Sequence, residues 1–369
     1  MIPFHSNSRQ HDALAAELAQ AIGSVDLADD TAFARSVETF EGLLADYSQA
    51  GSAVAVASGT DALIIALRAL DAPAGAEVIT CDFGFYATAA SIIMAGFTPV
   101  FVDVEPGRMV MDLDAVRDAI TPNTAAIVPV HLFGEAIDMP ALRQLADQHS
   151  LAVVEDVAQA LGARTGGKHV GTFGTASGIS FNWSKHLSSF SNGGAVLTND
   201  PEIAARARSL RGHGNAGGFR HTRMGLNSRL NPFEAALLST KLPHLDTWIT
   251  RRREIAARYT KNFASCGHVV TPTATEPEAH VYHKYTIQVP DRDGLRKRLA
   301  DQAIGTLVCY PVLLHDQPAF EGHALRAHSF TRAADVAAGV ISIPVYPELT
   351  DGEVDAISEA IIAYVDSVA

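Results

Sequence analysis

The sequence predicts an α/β chain, with a large domain built on a mostly parallel central sheet covered by helices and a smaller α+β C-terminal domain. Three observations carry this prediction. Short apolar runs alternate with helical patterns from about Ala53 to Thr198, which is how a parallel sheet with crossover helices reads. Several of these runs stop abruptly in polar residues, where open α/β sheets place their ligands. Beyond Leu245 the pattern changes to a few helices around one strand-like run, His283–Val289. The expected division is 1–246 for an N-terminal arm and the large domain, and 247–369 for the small one.

Taken in order, Ala53-Val54-Ala55-Val56 reads as a strand that turns through Ser58-Gly59-Thr60 into an apolar-periodic helix. Free N–H groups at that helix start, with hydroxyls beside them, suit a phosphate, although the same residues serve equally as a plain N-cap. No Walker loop and no G-x-G-x-x-G follows the strand, so nucleotide hydrolysis and dinucleotide binding find no support. Further strands are expected at Glu77–Thr80, Thr98–Val102 and Ala125–Val130. Asp112-Leu113-Asp114 and Met139-Pro140 open helices. A long helix from about Asn231, with proline at its start, is expected to run through Leu245 into the small domain. There Arg292-Asp293-Gly294-Leu295 opens a helix, and Thr350-Asp351-Gly352-Glu353 has the spacing of a capping box.

Two constellations carry chemistry. Leu151–Val154 is a buried parallel-type strand ending in Glu155-Asp156, with Gln159 following. A carboxylate there suits a cationic ring nitrogen, as in the pyridinium of pyridoxal phosphate, and Gln159 suits a nearby phenolic oxygen. A helix cap or a metal ligand is the alternative for Glu155 and Asp156, but no convergent His/Cys/Asp spacing supports a metal. Lys185 lies between the strand Gly178–Phe181 and a double glycine that leads into a second strand. Held inside a fold, a lysine loses basicity and becomes a carbonyl nucleophile; a lysine at a strand end can also simply reach out to water.

Phosphate turn, aromatic segment, Asp-x-x-Gln and lysine, in that order, resemble the sugar aminotransferases of the DegT/StrS type, which use pyridoxal phosphate and share the aspartate-aminotransferase fold (fold type I). The resemblance runs over almost the whole chain and includes Phe101–Val104, Ile127–Gly134, Gly225–Asn231, Lys241–Leu245, Tyr310-Pro311 and Ile343–Pro347. It implies that Lys185 bonds the cofactor covalently and that Asp156 pairs with the ring nitrogen. Gln159 would approach the phenolic oxygen, and Ser180 with Gly59 and Thr60 would hold the phosphate. Phe85 would stack on the ring, and Asn227 would reach the cofactor phosphate of a neighbouring subunit, implying a homodimer with shared active sites. Read from the residues alone, Phe85 is equally a core aromatic and Asn227 a loop cap. Related sugar dehydratases carry histidine at the lysine position; here Lys185 holds that place and His186 lies one beyond, which implies transamination. Three stretches depart from the family pattern: Asn182-Trp183-Ser184, Ser191-Asn192-Gly193-Gly194 and Cys309.

The implied reaction moves an amino group from an amino acid, expected to be L-glutamate, to a ketosugar, expected to be a nucleotide-linked 3- or 4-keto-deoxysugar. The alternatives are an aminocyclitol ketone with glutamine as donor, a phosphosugar ketone, and a noncatalytic regulatory protein that keeps the cofactor. Arg229, His186 and His315 are the candidate substrate contacts. Arg206, Arg208, Arg211, Arg220 and Arg223 share a glycine-rich stretch with Arg229 and offer forks for phosphate or carboxylate.

The 369 residues, 47% hydrophobic and 19% charged, are enough for two well-buried cores. A net charge of −13 argues against a nucleic-acid partner. Cys81, Cys266 and Cys309 form no paired framework, and the start reads without a signal peptide. No apolar run reaches the length of a membrane span. A cytoplasmic protein without membrane partner is expected.

Overall fold

A computed structural model describes residues 1–28, 30–326 and 330–368. The strands are β1 (Ser52–Val56), β2 (Glu77–Cys81), β3 (Thr98–Val102), β4 (Thr124–Val128), β5 (Ala152–Asp156), the hairpin β6 (Arg164–Thr165) and β7 (Lys168–His169), then β8 (Ala176–Ser180), β9 (Gly194–Thr198), β10 (Tyr285–Gln288), β11 (Leu325–Arg326) and β12 (Val340–Ile343). Eight of them form one sheet in the order β1-β9-β8-β5-β4-β2-β3-β11. All neighbours are parallel except β9, which runs antiparallel to both β1 and β8. The central strands are buried along nearly their whole length, and their runs Val153-Val154 and Ile127-Val128 read as continuous apolar segments for that reason.

Apolar clusters fill both faces of this sheet. One includes Ile79, Val100, Val130 and Leu142, a second Ala53, Ala55, Ile179 and Leu197, and a third Val54, Val56, Leu63, Ile65 and Val196. A further cluster, running from Ile255 to Val365, packs helices Leu245–Phe263, Arg292–Asp301 and Asp351–Val368 around the β10–β12 pair. The segment between them does not stay with that cluster. Cys309, Leu313, Leu314, Phe320 and Phe330 pack into the large core, and β11 adds to the edge of the large sheet beside β3. The expected boundary after residue 246 falls inside the first turn of helix Leu245–Phe263.

The uninterrupted helix expected from Asn231 through Leu245 is broken. Helix Pro232–Lys241 ends in a 3₁₀ turn, Leu242–His244, before the next helix starts at Leu245. Pro243 is the cause, since it has no N–H for the preceding turn and its ring crowds it. The strand expected over His283–Val289 is shorter, Tyr285–Gln288. Thr350 and Glu353 form the reciprocal capping box: the Glu353 amide donates to Thr350 Oγ1 at 3.2 Å, and the Thr350 amide to Glu353 Oε2 at 2.8 Å.

Candidate active site

The carboxyl ends of β1, β5 and β8 bring the sequence-derived residues together. The turn after β1 starts a helix at Gly59, and Ser58 caps it by accepting from the Asp61 amide at 3.1 Å. Gly59 lies flat against Ser180 at the end of β8: a Cβ built there would meet Ser180 Cβ at 2.6 Å. A Cβ on Gly194, at the start of β9, would meet the Ser58 carbonyl oxygen at 2.3 Å. Glycine at both positions therefore lets the helix start approach the ends of β8 and β9. This leaves the N–H groups of the first turn and the Ser180 hydroxyl on one small seat, a donor set suited to phosphate.

Asp156 ends β5 and is buried. Its Oδ2 accepts from the Thr88 hydroxyl at 2.7 Å, and its Oδ1 from the Ala158 amide at 3.0 Å. Burial raises its pKa, while the Thr88 and Ala158 hydrogen bonds and the charge of Lys185 pull it back down. Both oxygens keep unused lone pairs, so a ring N–H⁺ can be received without dismantling this support.

Lys185 follows β8 in a loop whose backbone turns at Asn182 (the Lys185 amide donates to the Asn182 carbonyl at 2.8 Å). Its Nζ makes no hydrogen bond or ion pair among the described residues. Burial, reinforced by the nearby ammonium of Lys284, lowers its pKa to about 8, against the opposing pull of Asp156. Such an amine has a substantial neutral fraction near neutrality and can attack an aldehyde. Lys241, buried in the helix after Pro232, fastens the loop by donating to the Ser188 carbonyl at 2.8 Å and its hydroxyl at 3.1 Å.

Gln159 Oε1 accepts from the Phe133 amide at 2.9 Å, and its Nε2 lies 3.4 Å from the Tyr310 hydroxyl, which directs its donor end toward Tyr310. Phe85, half-exposed, faces the Tyr310 ring at 5.9 Å. One face of its ring is thus available to a flat ligand.

The remaining candidates sit elsewhere. Asn227 and Arg229 are exposed on either side of the buried Ser228. Ser228 Oγ accepts from the Ala57 amide at 3.0 Å and donates to Asp61 Oδ2 at 2.7 Å, tying their loop to the phosphate seat. Arg211 and Arg223 are committed to Glu41 and Asp71, and Arg206 to Glu202 and the Ala69 carbonyl. His186 is buried, bonded through Nε2 to the Leu161 carbonyl at 2.7 Å, and lowered to about 3 by burial and Arg252. That placement commits it to the interior. His315 is clamped to Asp82, with its amide donating to Oδ1 at 2.9 Å and its Nδ1 lying 2.5 Å from Oδ2. Asp82 opens the loop that carries Phe85, so His315 fixes that loop's root. His131 pairs with Glu155 at 3.1 Å, and Glu155 also receives the amides of Gly171, Phe173 and Gly174.

Sequence reasoning did not single out Thr88, Tyr310, Asp82 or Lys284 as site residues. Thr88 sits in the first turn of helix Tyr86–Ala95, and its only sequence signal is a hydroxyl three residues beyond the aromatic. No group of three or more metal-ligating side chains exists among the described residues, and none of their helices is long and apolar enough to cross a membrane.

The model of the DegT/DnrJ/EryC1/StrS aminotransferase family matches residues 13–362. The chain belongs to that family. It is 40% identical, over 98% of this chain and 98% of the other, to a Geobacillus stearothermophilus protein called pleiotropic regulatory protein. It is 38% identical, over 94% and 93%, to UDP-N-acetyl-3-dehydro-α-D-glucosamine 3-aminotransferase of Acidithiobacillus ferrooxidans. The crystal structure of Streptomyces venezuelae DesV in complex with a ketimine intermediate superimposes with a TM-score of 0.93 at 38% identity, covering 99% of this chain and 98% of that one. As a member of the family the protein is an aminotransferase of fold type I whose cofactor is pyridoxal phosphate. The residues present fit that cofactor: an amine free of partners among the described residues, a buried carboxylate with spare lone pairs, a seat that a Cβ at Gly59 would fill, and a half-exposed aromatic ring.

Proposed function

We propose that this aminotransferase moves the amino group of an amino acid, L-glutamate first, to the 3-keto carbon of a nucleotide-linked sugar in amino sugar biosynthesis. The observation that carries the reading is the pairing of an unbonded Lys185 amine, lowered to about 8, with the doubly hydrogen-bonded Asp156. Carbon 3 is chosen because the Acidithiobacillus relative is named for a 3-dehydro sugar.

Pyridoxal phosphate supplies, when bound, a carbonyl that takes up the amino group and a charged ring that withdraws electrons. The chain supplies the rest. Gly59, Thr60 and Ser180 bind the phosphate, Phe85 covers the ring face, and Gln159 offers its amide to the phenolic oxygen. Asp156 keeps the ring nitrogen protonated. Lys185 would first anchor the group and, once displaced by the donor amine, would take the proton from the donor's α-carbon on Nζ and return it to the carbon on the other side of the amine nitrogen. In the second half it works in the opposite direction on the sugar. Proton transfer by a positioned group contributes roughly 10²–10⁴-fold in rate. The exposed Asn227 and Arg229 face outward, and we assign them to the site of a second copy, which makes the working unit a homodimer with shared sites; the cytoplasm is its expected compartment.

The test is mass analysis of product from L-glutamate and a panel of dTDP- and UDP-ketosugars and inososes, with Lys185→Ala alongside. Amination of a 3-ketosugar, lost in Lys185→Ala, supports the reading. Amination of inososes alone would replace it with the aminocyclitol reading, and a Lys185→Ala protein that keeps most of its activity would remove the mechanism.

A further inference from the structure

His131 lies just beyond β4 and is fully buried. Its Nδ1 lies 3.2 Å from the Ile137 amide, and its Nε2 lies 3.1 Å from Glu155 Oε2. A backbone amide can only donate, so Nδ1 is the accepting nitrogen and the ring proton sits on Nε2, directed at Glu155. The same carboxyl is pinned by three amides. Its Oε2 accepts from Gly171 at 2.7 Å, and its Oε1 accepts from Phe173 at 2.8 Å and Gly174 at 2.7 Å. Glu155 is thus a fixed post, and the imidazole bridges that post to the loop which His131 begins.

The loop closed by this bridge, His131 to Ile137, takes an uncommon course. Phe133 stands in the left-handed region at φ +58°, followed by Gly134 at φ +97°. A residue with a Cβ disfavours that region, so Phe133 stays there only because its surroundings hold it. The turn acts on Gln159. It aims the Phe133 amide at Gln159 Oε1, 2.9 Å away, and lays the Phe133 ring against that of Tyr310 at 6.2 Å. The packing is close enough that a Cβ on Gly134 would meet the Gln159 carbonyl oxygen at 3.1 Å. With Oε1 held, both N–H bonds of Nε2 face away from the loop. One lies toward the Tyr310 hydroxyl at 3.4 Å, and the other is left for a ligand oxygen. Released by Phe133, the same amide can turn over and present its carbonyl instead.

We propose that His131 is a positioning residue for the transamination: by bridging Ile137 and Glu155 it holds the Phe133 turn that keeps a Gln159 N–H directed at the cofactor's phenolic oxygen. The inference rests on the reading of Gln159 as that oxygen's partner. His131 itself touches neither cofactor nor substrate and moves no proton. It acts on the reaction through one hydrogen bond made by another side chain, so removing it costs the cofactor what losing the Gln159 amide costs, and no more.

The experiment is a double-mutant cycle on pyridoxal phosphate affinity, measured by equilibrium dialysis, with the absorbance of the loaded protein followed against pH. His131→Phe, Gln159→Leu, the double variant and His131→Gln are compared with the native chain. Losing one hydrogen bond predicts about three- to tenfold weaker binding in His131→Phe, and no further loss when it is combined with Gln159→Leu. The pH midpoint of the absorbance change moves up in both single variants, because a donor at the phenolic oxygen favours the deprotonated form. His131→Gln, whose amide can accept from Ile137 and donate to Glu155, recovers most of both effects. If His131→Phe does not fold, His131→Asn, whose shorter side chain cannot span both partners, takes its place in the cycle. Native affinity with an unmoved midpoint in that variant, or losses that add to those of Gln159→Leu, overturn the proposal alone. A Gln159→Leu protein that binds and absorbs like the native chain fails the reading of Gln159 and takes the proposal with it.

Discussion

Replacing Thr88 by valine tests the support beneath Asp156. The substitution keeps the shape of the side chain and removes the hydroxyl that donates to Oδ2 at 2.7 Å, leaving the Ala158 amide as the donor to the carboxylate among the described residues. A hydrogen bond to a charged group contributes about 1.5–3 kcal/mol. Its loss falls on the ionised form alone, so the Asp156 pKa, already raised by burial, should climb by about 1–2 further units at 1.36 kcal/mol each. The sign follows from linkage. A carboxyl whose folded pKa lies above its unfolded value binds more protons in the native state, so stability falls as pH rises from the unfolded pKa through the folded one. The Thr88→Val penalty should therefore be small at a pH low enough to protonate Asp156 in the folded protein and approach the full ~1.5–3 kcal/mol at a pH high enough to ionise it. Urea unfolding of the cofactor-free protein at the two pH values reads this directly, and Thr88→Ser should restore most of the loss. An equal penalty at both pH values would show that the methyl packing of Thr88, and not its hydroxyl, matters, and would refute the assignment.

Three other expectations rest on equally local geometry. Gly59→Ala places a Cβ 2.6 Å from Ser180 Cβ; overpacking of this kind costs about 1–3 kcal/mol, so equilibrium dialysis should show cofactor affinity down by roughly tenfold with the fold retained. Lys241 is lowered to about 8 by burial, so its folded state sheds protons that the unfolded chain keeps, and this group makes native stability rise between pH 8 and the ordinary lysine value. Lys241→Met should flatten that part of the stability–pH curve, measured by denaturant titration; an unchanged slope counts against the assignment. His315→Ala leaves the buried Asp82 without its imidazole partner; removing one member of a buried pair costs about 3–5 kcal/mol, and thermal unfolding should record that drop while a His315→Asn variant, which can still donate, recovers part of it.

The elements legible in the sequence were those whose signal is local. Val153-Val154 running into Glu155-Asp156, and Ala53–Val56 running into Ser58-Gly59-Thr60, are strand-to-turn transitions written in consecutive residues, and β5 and β1 end where those transitions fall. Thr350 and Glu353 are three apart and make their box within one helical turn. What was not legible joins distant positions. Thr88 meets Asp156, Gln159 turns toward Tyr310, and His315 reaches back to Asp82; no periodicity encodes which hydroxyl or imidazole a fold will bring to a given carboxylate. Asp82 and Lys284 were hidden for a related reason: a charged residue in an apolar stretch reads as a strand end, and only burial reveals that it is pinned or left without a counter-charge. The arginine stretch shows the converse. Its glycine-rich context looked like one anion-binding surface, yet Arg211, Arg223 and Arg206 are occupied by Glu41, Asp71 and Glu202, while Arg208, Arg220 and Arg229 are exposed.

The contact between Gly59 and Ser180 also bears on how the chain comes to hold its cofactor. β1 and β8 are joined through β9, which pairs with both, and Gly194 lies against the Ser58 carbonyl. The anion seat therefore depends on the register of a strand that carries none of the residues assigned to it. A polypeptide stopped short of β9 should therefore be unable to retain the coenzyme.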